Sequence, residues 1–141
     1  MKYRIYQICL STADAALIND KGWCGSELAH SYAKVTMLMS DEAMEKVEEH
    51  ISTLCDLGKY AHVADIEAET LDDVFHIGNI GNCDHCNITK HAPMQSISVG
   101  NVIIDAEDRA HLCCPLGWLD LDERTRNAVL ASAILLQDNV E

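Results

Sequence analysis

The sequence predicts an α+β fold, a small and mainly antiparallel sheet packed against several helices in a single domain. Three observations lead there. The chain has 141 residues, one compact domain's worth, with 48% apolar and 23% charged residues. No internal repeat, low-complexity tract or linker interrupts it. The predicted elements run β, helices, β, short helix, three β, helix, an order that suits strands and helices in separate blocks. The length is enough to bury a core without a disulfide or metal staple. With Phe75, Trp23, Trp118 and four tyrosines as the only aromatic residues, that core must rest on aliphatic side chains.

KYRIYQICL reads as a strand with Tyr3, Ile5 and Gln7 on one face and Arg4, Tyr6 and Ile8 on the other. Ser11 or Thr12 can cap a short helix, TADAALIND, with Ala13, Ala16 and Leu17 on one side. A loop follows at KGWCG, and a second helix spans roughly 26–37. SDEAMEKVEEHISTLC is the clearest helix, with Ser40 as its cap, a stripe of Met44, Val47, Ile51 and Leu54, and Gly58 as its stop. YAHVADIEA is a strand. Thr70 and Asp73 form a capping-box-like pair that opens TLDDVFHIGN, with Leu71, Val74 and Phe75 turned to the core and Gly78 as the C-terminal cap.

SISVGNVIID enters a strand through a turn at Gly100-Asn101; AHLCC is a further strand, Pro115 and Gly117 make a turn, and GWLDL is extended. Asp122 caps the last helix, whose run from Ala128 to Leu136 is apolar nearly all round. Such a run implies a well-buried helix or one that is partly a homodimer surface.

Charge is the strongest global signal. The net is −13, and residues 41–80 alone carry 11 acidic and 2 basic groups. Direct binding to nucleic acid needs cations that displace counterions, so none is expected. The balance favours a host protein with a basic surface, or simple solubility. Asp41, Glu42, Glu45, Glu48, Glu49, Asp72 and Asp73 are the candidate anionic surface, which would imitate the charge of DNA; the bland alternative is a solvated helix face. No run approaches the ~20 apolar residues of a spanning helix, so no membrane contact is expected and the chain reads as cytoplasmic. Seven cysteines, odd in number and irregularly placed, fit free thiols in a reducing compartment.

ETLDDVFHIGN, HAPMQSISVGNVIID and HLCCPLGWLDL, together with the leading YRIYQ, resemble the YodL-like small proteins of bacteriophages, plasmids and other mobile elements. The matching residues are Tyr3 to Gln7, Leu71 to Asn79, Ser96 to Val102, Pro115, Gly117 and Trp118. Asn101 stands where that family usually has Asp, and residues 80–92 look like an insertion of variable type. The family has no established common activity. The resemblance implies a phage or plasmid context, not a reaction.

That insertion holds the one metal-like spacing, Cys83-x2-Cys86-x4-His91. A closed zinc site needs a fourth ligand. The zinc-knuckle position carries Ser96, so the fourth would come from His85, His76, Cys113 or Cys114. The competing reading is a polar loop with ordinary thiols. No Gly-x-Ser-x-Gly elbow or Walker loop is present, and no catalytic residue or cofactor is assigned, zinc apart. Two readings therefore stand. One is a non-enzymatic mobile-element accessory protein that inhibits a nucleic-acid-handling defence complex, of anti-CRISPR or anti-restriction type, through acidic residues. The other is a small zinc-binding structural or regulatory protein.

Overall fold

The computed structural model of the chain describes residues 1–37, 41–80 and 88–138. Its strands are β1 (Lys2–Ile8), β2 (Tyr60–Glu67), β3 (Ile88–Lys90), β4 (Val102–Ile104), β5 (Ala110–Cys113) and β6 (Trp118–Asp120). They form one antiparallel sheet in the order β3-β2-β1-β4-β5-β6. The helices are α1 (Thr12–Lys21), α2 (Glu27–Thr36), α3 (Asp41–Glu45), α4 (Val47–Asp56), α5 (Leu71–Ile80) and α6 (Glu123–Asp138). The α+β expectation holds. Among the described residues no helix is long and apolar enough to cross a membrane.

Both faces of the sheet are buried, because the two sides of β1 are both apolar. Tyr6 packs with Tyr60, Val102, Ile104 and Leu112 under α2, α4 and α6, which contribute Val35, Ile51, Leu54 and Val129. Tyr3 and Ile5 pack on the opposite face with Val63, Ile66 and Ile103, covered by Val74 of α5 and by Ile97. Each fully buried aliphatic side chain contributes about 1.5–3 kcal/mol.

Local signals place most boundaries. Ser11 and Asp14 form a reciprocal capping box at α1. The side it buries carries Ile18, not the predicted Ala13 and Ala16, which are exposed. The expected single helix after residue 40 is broken at Lys46, where the Glu49 amide bonds the Lys46 carbonyl in a tight turn that restarts the helix as α4. Its stripe of Val47, Ile51 and Leu54 is fully buried, with Met44 half-buried beside it, while Ser40 lies outside the described residues. Gly58 (φ +69°) ends α4 as expected, its amide bonding Cys55 O and that of Lys59 bonding Leu54 O. Asp122 caps α6 by accepting from the Thr125 amide at 2.7 Å. Along α6, Val129 and Ser132 are buried while Ile134 and Leu135 are exposed, so the apolar run is covered on one side.

Three expectations are corrected. Gly78 does not cap α5 but lies inside it, where a Cβ would stand 2.3 Å from Ile97 Cδ1, so a larger residue would make the buried Ile97 side chain shift. Phe75 of the same helix is exposed, not core. No strand is predicted within the insertion at 80–92. Ile88–Lys90 adds an edge strand to β2, with Ile88 against the α5-side core.

The turn before β4 is held by buried polar contacts. Gln7 Nε2 donates to Asn101 Oδ1 (3.1 Å) and to Gln95 O (2.8 Å), and Gln7 Oε1 accepts from the Gln95 amide. Asn101 Oδ1 also accepts from the Ser98 amide. The buried Tyr60 hydroxyl donates to Gly100 O at 2.8 Å, and Ser132 of α6 accepts from the Tyr60 amide. Both bonds to Asn101 use its oxygen as acceptor, a role that a carboxylate fills equally well. Asn101→Ala should therefore lower stability by about 1–3 kcal/mol, since it strands buried donors. Asn101→Asp should lose less than Asn101→Ala. Urea denaturation of the variants measures both.

Candidate metal centre

In a regular strand, residues three apart point to opposite faces. His62 and Asp65 nevertheless share a face, because β2 carries one residue more than β1. Ile5 pairs with Ala64 and Tyr6 with His62, so Val63 is left without a partner on β1. Asp65, opposite Arg4, then projects on the same side as His62, opposite Tyr6. The extra residue also recruits the third group. The Val63 carbonyl accepts from the amides of His91 (2.8 Å) and Ala92 (3.3 Å), which brings the chain leaving β3 over the bulge.

The result is a compact cluster. His62 Nε2 lies 2.7 Å from Asp65 Oδ1, and His91 Nε2 lies 2.9 Å from Asp65 Oδ2. The imidazole rings stand 4.7 Å apart, and His62 stacks on Tyr6 at 4.9 Å. Asp65 is nearly covered, with 12% of its side chain exposed, whereas His62 and His91 keep 30% and 40%. Lys2 Nζ approaches Asp65 Oδ2 at 3.4 Å. Burial pushes the Asp65 carboxyl up, but the hydrogen bonds from His91 and His62, with the charges of His62 and Lys2, outweigh it and hold the carboxyl below its ordinary value. An ionised carboxylate only accepts, so each imidazole donates an Nε2 hydrogen.

Two imidazole nitrogens and one carboxylate oxygen, all within 4.8 Å of one another, form a donor set for a divalent transition ion. The set could hold the metal by three ligands and leave a coordination position for water. Of the predicted ligands, the structure brings His91 into the cluster, beside His62 and Asp65, neither of which the sequence predicts as a ligand. Cys83 and Cys86 lie outside the described residues. Cys113 and Cys114 are both buried; burial pushes the Cys113 thiol up to about 11, so it remains protonated packing. His76 sits exposed on α5, and His85 lies outside the described residues. The signal for His62 and Asp65 was a histidine and an aspartate three apart in a strand, which reads as opposite faces until the bulge is known.

A further histidine, His111, bridges two carboxylates, and among the described residues it forms no such set. His111 meets Asp105 through Nε2 (2.9 Å) and Asp120 through Nδ1 (2.7 Å). The two acids bind opposite edges of one ring, which ties β6 and the β4–β5 turn to β5.

The predicted acidic residues are divided. Glu42, Glu45, Glu48 and Glu49 lie on α3 and α4, whereas Asp72 and Asp73 lie on α5, across the sheet. The side chain of Asp41 lies outside the described residues. Glu48 accepts from the Asp122 amide at 2.9 Å. Glu42 and Glu49 line a groove of about 490 Å³ with Lys34, Lys46, His30 and His50. Burial and the adjacent His30 push the His50 imidazole below its ordinary value, so it adds no cation near neutrality.

Because the folded carboxyl of Asp65 titrates below its unfolded value, its stabilisation is complete above about pH 4 and is lost as pH falls further. Asp65→Asn should flatten the acid limb of a stability–pH curve below about pH 4. Urea midpoints across pH check this. No family model matches the chain, and neither does any curated protein or solved structure compared with it, so no catalytic activity is indicated from that side.

Proposed function

We propose that the chain is a small metal-binding protein that holds a divalent transition ion, of zinc type, through His62, Asp65 and His91. The observation that supports this reading is the convergence of three donor atoms, two from the bulged strand β2 and one from the chain leaving β3, at one partly open place on the sheet. Binding through both Nε2 atoms requires each neutral ring to carry its hydrogen on Nδ1 instead, and protons compete with the ion for those nitrogens, so affinity falls with acidification. The ion would cross-link β2 to the segment leaving β3, a structural or regulatory role for which three short strand residues alone are a weak anchor.

Purified protein should take up zinc stoichiometrically. His62→Ala or Asp65→Asn should weaken uptake about tenfold or more, measured against a competing chelator. Retention of full affinity in both variants would remove this reading. Loss of zinc in Cys83→Ser/Cys86→Ser alone would move the site to the cysteines.

A second reading is favoured by exposed Glu45 and Glu49 within a segment of net charge −9. Here the chain is a mobile-element accessory protein that docks, without catalysis, on a basic host protein such as a nucleic-acid-handling defence complex. Glu45→Lys/Glu49→Lys should then reduce capture of that partner, and the reduction should shrink as salt rises. Glu48 is unsuited to the test, since its carboxylate already serves the start of α6.

A further inference from the structure

The sequence segments LDDVF and PLGW are 40 residues apart, yet the fold sets them side by side. Phe75 of α5 meets Trp118 of β6 edge-to-face, with centroids 6.5 Å apart. Trp118 Nε1 donates to Asp72 Oδ1 at a long 3.4 Å. Phase of the helix does not require Phe75 to be aromatic, because Val74 supplies the buried contact and Phe75 is 42% exposed. Leu116, in the turn that precedes Trp118, is 96% exposed. By contrast, the other two quoted segments have structural work: Gln7 of YRIYQ and Asn101 of SVGN bond one another inside the fold.

Asp72 borders the aromatic pair, Asp73 follows it on α5, and both are exposed. Among the described residues no lysine or arginine forms an ion pair with either one. An aromatic pair of exposed Phe75 and half-buried Trp118, beside carboxylates that no cation pairs, suits one side chain above others. A guanidinium is planar, stacks on an aromatic face and donates in a fork to a carboxylate. A second copy of the chain is disfavoured as the occupant by its net charge of −13.

We propose that the Phe75–Trp118 patch, with Asp72 and Asp73, is a docking surface for an arginine-bearing extended segment of a partner protein. It lies on the α5 side of the sheet, away from Glu45 and Glu49, and does not depend on the metal reading.

The test uses the full chain with Trp23→Phe, so that Trp118 is the only indole. Its fluorescence is titrated with a glycine–serine peptide carrying arginines, the same peptide with lysines, and the same peptide with glutamates. Saturable change with the arginine peptide, weaker binding of the lysine peptide and none of the glutamate peptide are expected. Phe75→Ala and Asp72→Asn/Asp73→Asn should each raise the Kd about tenfold, while Asp20→Lys, an equal change of net charge at an exposed residue of α1, leaves it unchanged. Phe75 is exposed, so its truncation should leave the melting temperature near the parent's, which a thermal melt verifies. Three results would overturn the proposal: no saturable change, equal binding of the arginine and lysine peptides, or a Kd as sensitive to Asp20→Lys as to the α5 variants.

Discussion

The placement of the histidines and acids on this sheet depends on a single surplus residue. Between Tyr6 and Ile5 of β1, β2 passes three residues where a regular ladder would pass two. A strand's two faces alternate strictly, so this surplus reverses the parity of everything beyond it. Before the bulge, Tyr60 and His62 project toward α4 and α6. Beyond it, Ala64 and Ile66 turn toward α5, and Asp65 rejoins the side of His62. Without the bulge, the same residues continued in strict alternation from His62 would put Ile66 out of its core and Asp65 into it.

The same irregularity explains why a polar site can exist on a sheet that is otherwise covered on both faces. The bulged Val63 frees a carbonyl, which takes two amides from the chain leaving β3. Those amides fix where His91 stands, and Asp65 then satisfies both imidazoles at once. Backbone satisfaction and side-chain chemistry are thus one arrangement. Buried polar groups elsewhere follow the same rule, as at Gln7, Asn101 and Tyr60, whose partners join β1, β2, α6 and the turn before β4.

Charge follows a different logic. The chain concentrates its carboxylates in the middle third, but sequence neighbourhood is not spatial neighbourhood. The sheet stands between α4 and α5, and lysines share the α2–α4 groove with Glu42 and Glu49. The candidate carboxylates therefore sit on two sides of the sheet, some of them in a groove shared with lysines.

The sequence by itself determined the elements whose signals are local. The Ser11–Asp14 box, the stripe of Val47, Ile51 and Leu54, the stop at Gly58 and the Asp122 cap each act within one or two helical turns, so they can be read along the chain. It also determined the alternation of β1 and the α+β class. Only the tertiary structure decided the rest. β3 is three residues long, too short for alternation to show, and exists because β2 offers it an edge. Gly78 reads as a helix stop, but its partner Ile97 is nineteen residues away and makes it a packing position. His62, Asp65 and His91 become a site through a mismatch between two strands, and strand pairing is a property of neither strand alone.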